Sequence, residues 1–224
     1  MKKRILTLLA AVCLLSAVLS GCGGGSQNGT TGTTDQSTAN TQTEGPAARA
    51  AAGELNVGIA QDLDSSLDPH KTVKAGTREV MFNVFEGLMK PTPEGDLTPA
   101  IASDYQVSED RLTYTFPLRD GVKFHNGDTV TAEDVVYSIQ RCAAATETGI
   151  VPVEAFSNIT DIQAPDASTV VITLAQPDNE FLSYMTTAVL PADYDQQDTA
   201  PVGTGPFKFV SRSAQDSIVM EKFD

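Results

Sequence analysis

The chain has 224 residues, with 29 acidic against 15 basic side chains, 41% hydrophobic residues, 20% charged residues and a formal net charge of −14. That apolar fraction can fill a core, so a wholly disordered polyelectrolyte is excluded. The acidic balance, with no basic cluster to offset it, argues against nucleic acid as a partner, because phosphate binding is driven by Lys and Arg releasing counterions.

Met1-Lys2-Lys3-Arg4 is a positive n-region, Ile5 to Val18 is almost wholly apolar, and Leu19-Ser20-Gly21-Cys22 closes the run with small residues before a cysteine. The apolar run is about 14 residues, short of the roughly 20 that a helix needs to span a bilayer, so residues 1–21 predict an export signal, with a permanent transmembrane anchor the weaker reading. An ordinary cleaved signal peptide, with Cys22 incidental, is one reading. Leu19-Ser20-Gly21-Cys22 also resembles the lipobox of bacterial lipoproteins at all four positions. That resemblance implies cleavage before Cys22 and a lipid on its sulfur.

Loss of Lys2, Lys3 and Arg4 with the signal takes 15 basic residues to 12 against 29 acidic, a net charge of about −17. Such a surface is repelled by anionic headgroups, so attachment would come from acyl chains. Cys13 would leave and Cys22 would be acylated, so Cys142 remains as the only thiol and no intramolecular disulfide can form. Between Gly23 and Gly45 the only apolar side chain is Ala39. By composition, residues 22–53 read as a flexible tether.

Globular patterning starts at Glu54. Leu55, Val57 and Ile59 alternate with polar or small residues and predict a half-buried strand. Asp62, Asp64, Ser65, Ser66, Asp68 and Pro69 crowd into one loop. From Thr77 to Leu88, the spacing of Val80, Val84, Phe85 and Leu88 predicts a helix of about three turns, with Gly87 and Pro91 as stop signals. Leu112, Tyr114, Phe116 and Leu118 alternate as a strand. Asp120-Gly121 and Asn126-Gly127 are turn dipeptides flanking a short predicted strand, Val122 to Phe124.

Thr131-Ala132-Glu133-Asp134 fits a capping box and starts a helix whose apolar positions are Val135, Val136, Ile139 and Cys142. Cys142 on that face reads as a small inert hydrophobe. Thr169 to Leu174, Phe207 to Val210 and Ser217 to Met220 predict three further strands. Helices and strands mix without regular alternation, so the expected class is α/β, or α+β, with mixed sheets, over a doubly wound parallel sheet.

No catalytic constellation stands out. His70 and His125 are far apart and form no i, i+4 metal pair, so each reads as a polar turn residue. The acidic loop from Asp62 to Asp68 lacks the glycine and terminal glutamate of an EF-hand, and no metal or cofactor is expected. Gly203-Thr204-Gly205-Pro206 lacks both a third glycine and a lysine, and its proline removes an amide, so it is no nucleotide loop.

Six segments together resemble a family. They are Leu67-Asp68-Pro69-His70, Phe85-Glu86-Gly87-Leu88, Tyr114-Thr115-Phe116 with Leu118-Arg119, Gly121 through Gly127 (Gly-Val-Lys-Phe-His-Asn-Gly), Thr131 through Ser138, and Gly203 through Phe207. Their order and spacing are similar to those of the family 5 extracellular solute-binding proteins, the dipeptide, oligopeptide and nickel-binding lipoproteins of ATP-binding-cassette (ABC) importers. The likeness covers about Leu55 to Asp224.

It implies a periplasmic-binding-protein-like type II lobe, here incomplete and with the second lobe missing, because relatives are a little over twice this length. Residues 54–86 and 183–224 would belong to a first domain and 87–182 to an inserted second domain. A monomer would capture a dipeptide or oligopeptide and deliver it to permease subunits, without catalysis, from the outer face of the membrane or in a periplasm. Weak peptide binding and an apolar surface around Phe207 and Phe209 are expected of such an incomplete lobe.

The resemblance also places a ligand-contact strip at Val73, Lys74 and Ala75, with Gly76 beside them. An acidic residue of one well-known pattern is replaced here by Val73. Lys74 reads either as the partner of a ligand carboxylate or as part of a solvated loop, while Lys123, Phe124 and His125 read as turn and packing residues. The cargo stays open among dipeptides, longer peptides, nickel chelates and sugars. Two other classes stay open: a secreted hydrolase using Asp62, Asp64 and Asp68, and a surface adhesion lipoprotein.

Overall fold

The computed structural model describes residues 53–144 and 147–223. The signal, Cys22 and most of the tether therefore lie outside the described residues. From Leu55 onward the chain belongs to one compact unit.

In chain order the elements are α1 (Ala75–Met81), β1 (Met89–Pro91), β2 (Leu97–Pro99), β3 (Gln106–Val107), β4 (Thr113–Pro117), α2 (Ala132–Ala144), a 3-10 turn (Glu154–Asn158), β5 (Ile159–Asp166), β6 (Thr169–Leu174), the one-turn α3 (Phe181–Tyr184), β7 (Phe207–Ser213) and β8 (Ser217–Lys222). Helix and sheet are mixed, as the irregular element order predicts. Every ladder among the described residues is antiparallel: β1 with β2, the order β3-β4-β6-β5, and the β7-β8 hairpin.

The main core follows from period-two patterning. In β4, Tyr114 and Phe116 face inward, opposite Ile172 and Val170 of β6. Phe116, Val170 and Ile172 are wholly buried, and burying each such side chain stabilises the fold by about 1.5–3 kcal/mol. The Tyr114 ring packs on Phe181 of α3 at a centroid distance of 4.7 Å.

Helix α2 closes this core with Ala132, Val135, Ile139 and Cys142, one apolar stripe at helical spacing. Its start is the expected capping box. The Thr131 amide and hydroxyl donate to Asp134 Oδ2 at 2.9 and 2.8 Å, and the Asp134 amide returns to Thr131 Oγ1. A second, smaller core gathers Leu63, Leu67, Met81, Val84, Phe85 and Leu190.

Three expected elements differ. Leu55, Val57 and Ile59 form no strand and are exposed at 84%, 72% and 44%, because no described strand pairs with that segment. The helix from 77 to 88 is only Ala75–Met81. Beyond it the carbonyls serve tertiary partners: Asn83 O accepts from the Phe207 amide, Val84 O from Gly205 and Glu86 O from Val189. Val84, Phe85 and Leu88 are still buried, so the apolar spacing is real although the helix stops. Val122 to Phe124 forms only an isolated bridge, Lys123 with Thr129, since the Asn126-Gly127 turn closes at once on the Phe124 carbonyl.

Candidate ligand-binding surface

The loop that leads into α1 is pinned from beneath. Asp64 Oδ2 accepts the amides of Val73 at 3.3 Å and Lys74 at 3.0 Å, and the Asp64 amide donates to Thr77 Oγ1 at 2.7 Å. Burial alone would raise the Asp64 carboxyl, but the Lys74 amide, the Thr77 hydroxyl and the Val73 amide together hold it below its ordinary range. From β7, Arg212 reaches the carbonyls of Asp64 and Leu63 at 2.6 and 3.2 Å. The outer side of the strip is open: Val73, Lys74 and Ala75 are exposed and Gly76 is half-buried. Such a surface, fixed below and free above, suits contact with an extended ligand.

Lys74 itself is partly committed. Its ammonium donates to the carbonyls of Asp62 at 3.4 Å and Leu63 at 3.2 Å, which uses two of its three N–H groups.

Behind the strip lies a charge cluster that sequence reading missed. Arg141 of α2 grips Asp68 with two nitrogens, Nη2 to Oδ2 at 2.8 Å and Nη1 to Oδ1 at 3.1 Å. It also binds Glu147, and its Nη1 donates to His70 Nδ1 at 3.1 Å. Asp68 is 1% exposed and the Arg141 side chain 7%, so this is a desolvated bidentate pair. Lys71 adds a bridge to Asp198 at 2.9 Å. The guanidinium stays charged, its pKa raised by these carboxylates against the cost of burial. The spacing Asp68-Pro69-His70 was legible, but not that Arg141, 73 residues away, completes it.

Both histidines turn out to be clasps. His70 donates from Nε2 to Ala188 O at 2.9 Å while Nδ1 accepts from Arg141, and it is 4% exposed. His125 donates from Nε2 to Gly205 O at 2.9 Å, accepts the Gly203 amide on Nδ1, and meets the Phe223 ring edge-on at 4.8 Å. Burial pushes the pKa of each below the ordinary 6.5. His125 is thus more than a turn residue of its own hairpin, since it ties that hairpin to Gly203-Thr204-Gly205.

The glycine motif has a packing cause. A side chain on Gly203 or Gly205 would run into the backbone of Asn83 and Val84, and one on Gly87 into Met185 to Thr187. These glycines let three segments cross at backbone contact. The recognisable motifs therefore mark the crossing points of the fold, with no phosphate cradle among them.

Asp62, Asp64 and Asp68 do not converge. Asp62 accepts the Leu63 amide and Arg212, Asp64 holds the strip, and Asp68 is buried against Arg141. No group of three metal-binding side chains occurs among the described residues.

These landmarks belong to a known architecture. The model of the bacterial extracellular solute-binding proteins, family 5, matches residues 96–224. The chain belongs to that family. It is 30% identical over 181 residues to the glutathione-binding protein GsiB of Escherichia coli, a match that covers 77% of this chain and 35% of that one. Among solved structures it is similar to AgaA of Agrobacterium, determined with agropinic acid, at 34% identity and a TM-score of 0.66 over 71% of this chain and 34% of that one. It is also similar to DppA of Helicobacter pylori, determined with the peptide STSA, at 27% identity and a TM-score of 0.63 over 72% of this chain and 38% of that one. These neighbours share the type II binding-protein fold, and the chain spans about a third of the length of the relatives it matches. Among the described residues no helix is long and apolar enough to cross a membrane.

Proposed function

We propose that this chain captures peptides or a related small solute outside the cytoplasm and passes them to the permease of an ABC importer, with no bond-making step. The observation that carries the reading is the exposed strip Val73 to Ala75, with half-buried Gly76 beside it, pinned by Asp64 and Arg212 in a chain of this family. The bound molecules of relatives, glutathione, the peptide STSA and agropinic acid, favour an amino-acid-like cargo. Main-chain hydrogen bonding to an extended ligand supplies affinity that tolerates many side chains. Lys74, with one N–H left, would take a secondary part as donor to a ligand carboxylate. In this reading residues 54–86 and 183–224 form one domain, 87–182 another, and the protein acts as a monomer. A lipid on Cys22 would hold it at the membrane, supported by Leu19-Ser20-Gly21-Cys22 and the composition of the following tether. A hydrolase gains nothing from the dispersed aspartates.

The test is an amide-resolved NMR titration of the isotope-labelled chain with the tripeptide Ala-Ala-Phe, carried to about 10 mM to register weak binding. Shifts centred on Val73, Lys74, Ala75 and Gly76 are expected. Shifts confined to other surfaces, or none, would overturn the placement of the site.

A further inference from the structure

A groove of about 420 Å³ runs between one face of α1 and the segments 151–153 and 186–188. Its volume falls in the range of about 300–1,000 Å³ usual for small-molecule sites. The floor is apolar, with Met81 and Phe85 buried and Phe82 standing on the rim at 58% exposure. In a strongly acidic chain this groove is lined by no carboxylate. The other main grooves contain Asp62 and Asp216, Asp161, or the cluster around Asp68, Glu147 and Asp198.

Its one fixed cation is Arg78. Arg78 is exposed, its Nε donates to Thr72 O at 3.3 Å, and no carboxylate among the described residues lies within ion-pair distance of it. The other cationic candidate, His70, is held neutral, since its Nδ1 accepts from Arg141. The Thr186 and Thr187 hydroxyls donate to the carbonyls of Ser183 and Tyr184, which leaves their oxygens as acceptors. The groove thus offers an unpaired guanidinium fork, hydroxyl acceptors for an N–H group, and an apolar bed.

We propose that this groove is a subsite for the carboxylate end of a short peptide, with the terminal carboxylate on Arg78 and the last, apolar side chain against Phe82, Met81 and Phe85. The shared chemistry is a carboxylate beside an apolar group, which a free aryl acid also carries. The proposal rests on the peptide-capture reading above. It adds a direction to the bound peptide, because Thr72 and Arg78 connect the groove to the Val73 to Gly76 strip. It also implies selection against peptides blocked at the C-terminus.

The experiment compares Ala-Ala-Phe, its C-terminal amide and 3-phenylpropanoate by NMR titration of the full chain and of Arg78→Gln, Arg78→Lys and Lys90→Gln. The acid is expected to bind about fivefold tighter than the amide, as one partly exposed charged pair allows, with shifts at Arg78 and Phe82. Arg78→Gln should erase that preference and Arg78→Lys should keep part of it. Equal binding of acid and amide, or an equal loss in Lys90→Gln, would overturn the subsite. Equal binding with shifts on the Val73 to Gly76 strip would leave the peptide reading standing. Binding of 3-phenylpropanoate at Arg78 with no tripeptide binding would support the carboxylate site and sink the peptide reading. No shifts with any probe would sink both.

Discussion

Arg141 holds Asp68 through two parallel hydrogen bonds of 2.8 and 3.1 Å, and the aspartate is 1% exposed. The pair joins helix α2 to the loop that precedes the candidate strip. Removing one partner strands the other in a dry site, which costs more than the net worth of the pair. Arg141→Met should therefore lower unfolding stability by about 3 kcal/mol, read as a shift of the urea midpoint at constant slope. A loss under about 0.5 kcal/mol would mean that water reaches Asp68 freely.

The two histidine clasps predict a pH limb. Burial, the largest cause in each case, lowers the folded-state pKa of His70 and His125 below 6.5. Asp68, Glu147 and the Ala188 carbonyl favour a charged His70, while Arg141 disfavours it. His125 feels the Gly205 carbonyl and Lys208 in the same opposed way. Below about pH 6.5 the unfolded chain binds more protons than the folded one, so stability falls with pH. The contribution is complete above that value and is lost as pH falls through the folded pKa values. Urea midpoints measured from about pH 8 to about pH 5 should be level and then decline, and the decline should flatten in His70→Gln with His125→Gln.

Backbone crossings predict sharply unequal glycine substitutions. Gly203→Ala meets the Val84 carbonyl and the Phe85 ring, while Gly58→Ala meets nothing within 4 Å. The first should cost about 3 kcal/mol and the second less than about 0.5. Thermal melts of the two variants side by side check this, and equal melting temperatures would contradict the crossing.

Cys142 is 1% exposed and burial pushes its thiol up to about 12. A maleimide at pH 8 should leave it unlabelled in the folded protein and modify it in urea, as peptide mapping by mass spectrometry would show. Labelling at equal rates in both states would place the thiol at the surface.

Exposed apolar side chains collect on Leu55, Val57 and Ile59 and on Phe207, Val210 and Val219 of the hairpin. Phe207 is exposed as expected, whereas Phe209 is half-buried against the smaller core. A hydrophobic dye should bind strongly, and Leu55→Ser with Val57→Ser should reduce its fluorescence. An unchanged signal would locate the dye elsewhere.

Local chemistry is legible in the sequence. The Thr131 to Asp134 cap, the alternation in β4 and β6 and the inert burial of Cys142 depend on neighbours within a few residues or on hydrophobicity alone. The family likeness was readable for a related reason, since each quoted motif is a short run. What those motifs do was not. The stretch from Val80 to Leu88 looks helical because its apolar spacing fits 3.6 residues per turn, yet the carbonyls of Asn83, Val84 and Glu86 are claimed by the amides of Phe207, Gly205 and Val189, more than 100 residues away in the chain order.

The sequence by itself determined that there is a core, an acidic surface, a capped central helix and a chain of this family. Only the tertiary structure decided that Asp68 pairs with Arg141, that both histidines are neutral clasps, that Leu55 to Ile59 stands unpaired, and that Arg78 faces an acid-free groove. The division has one physical cause. Hydrophobic periodicity is written along the chain, whereas the partner of a buried charge or carbonyl is fixed by which distant segment folds against it.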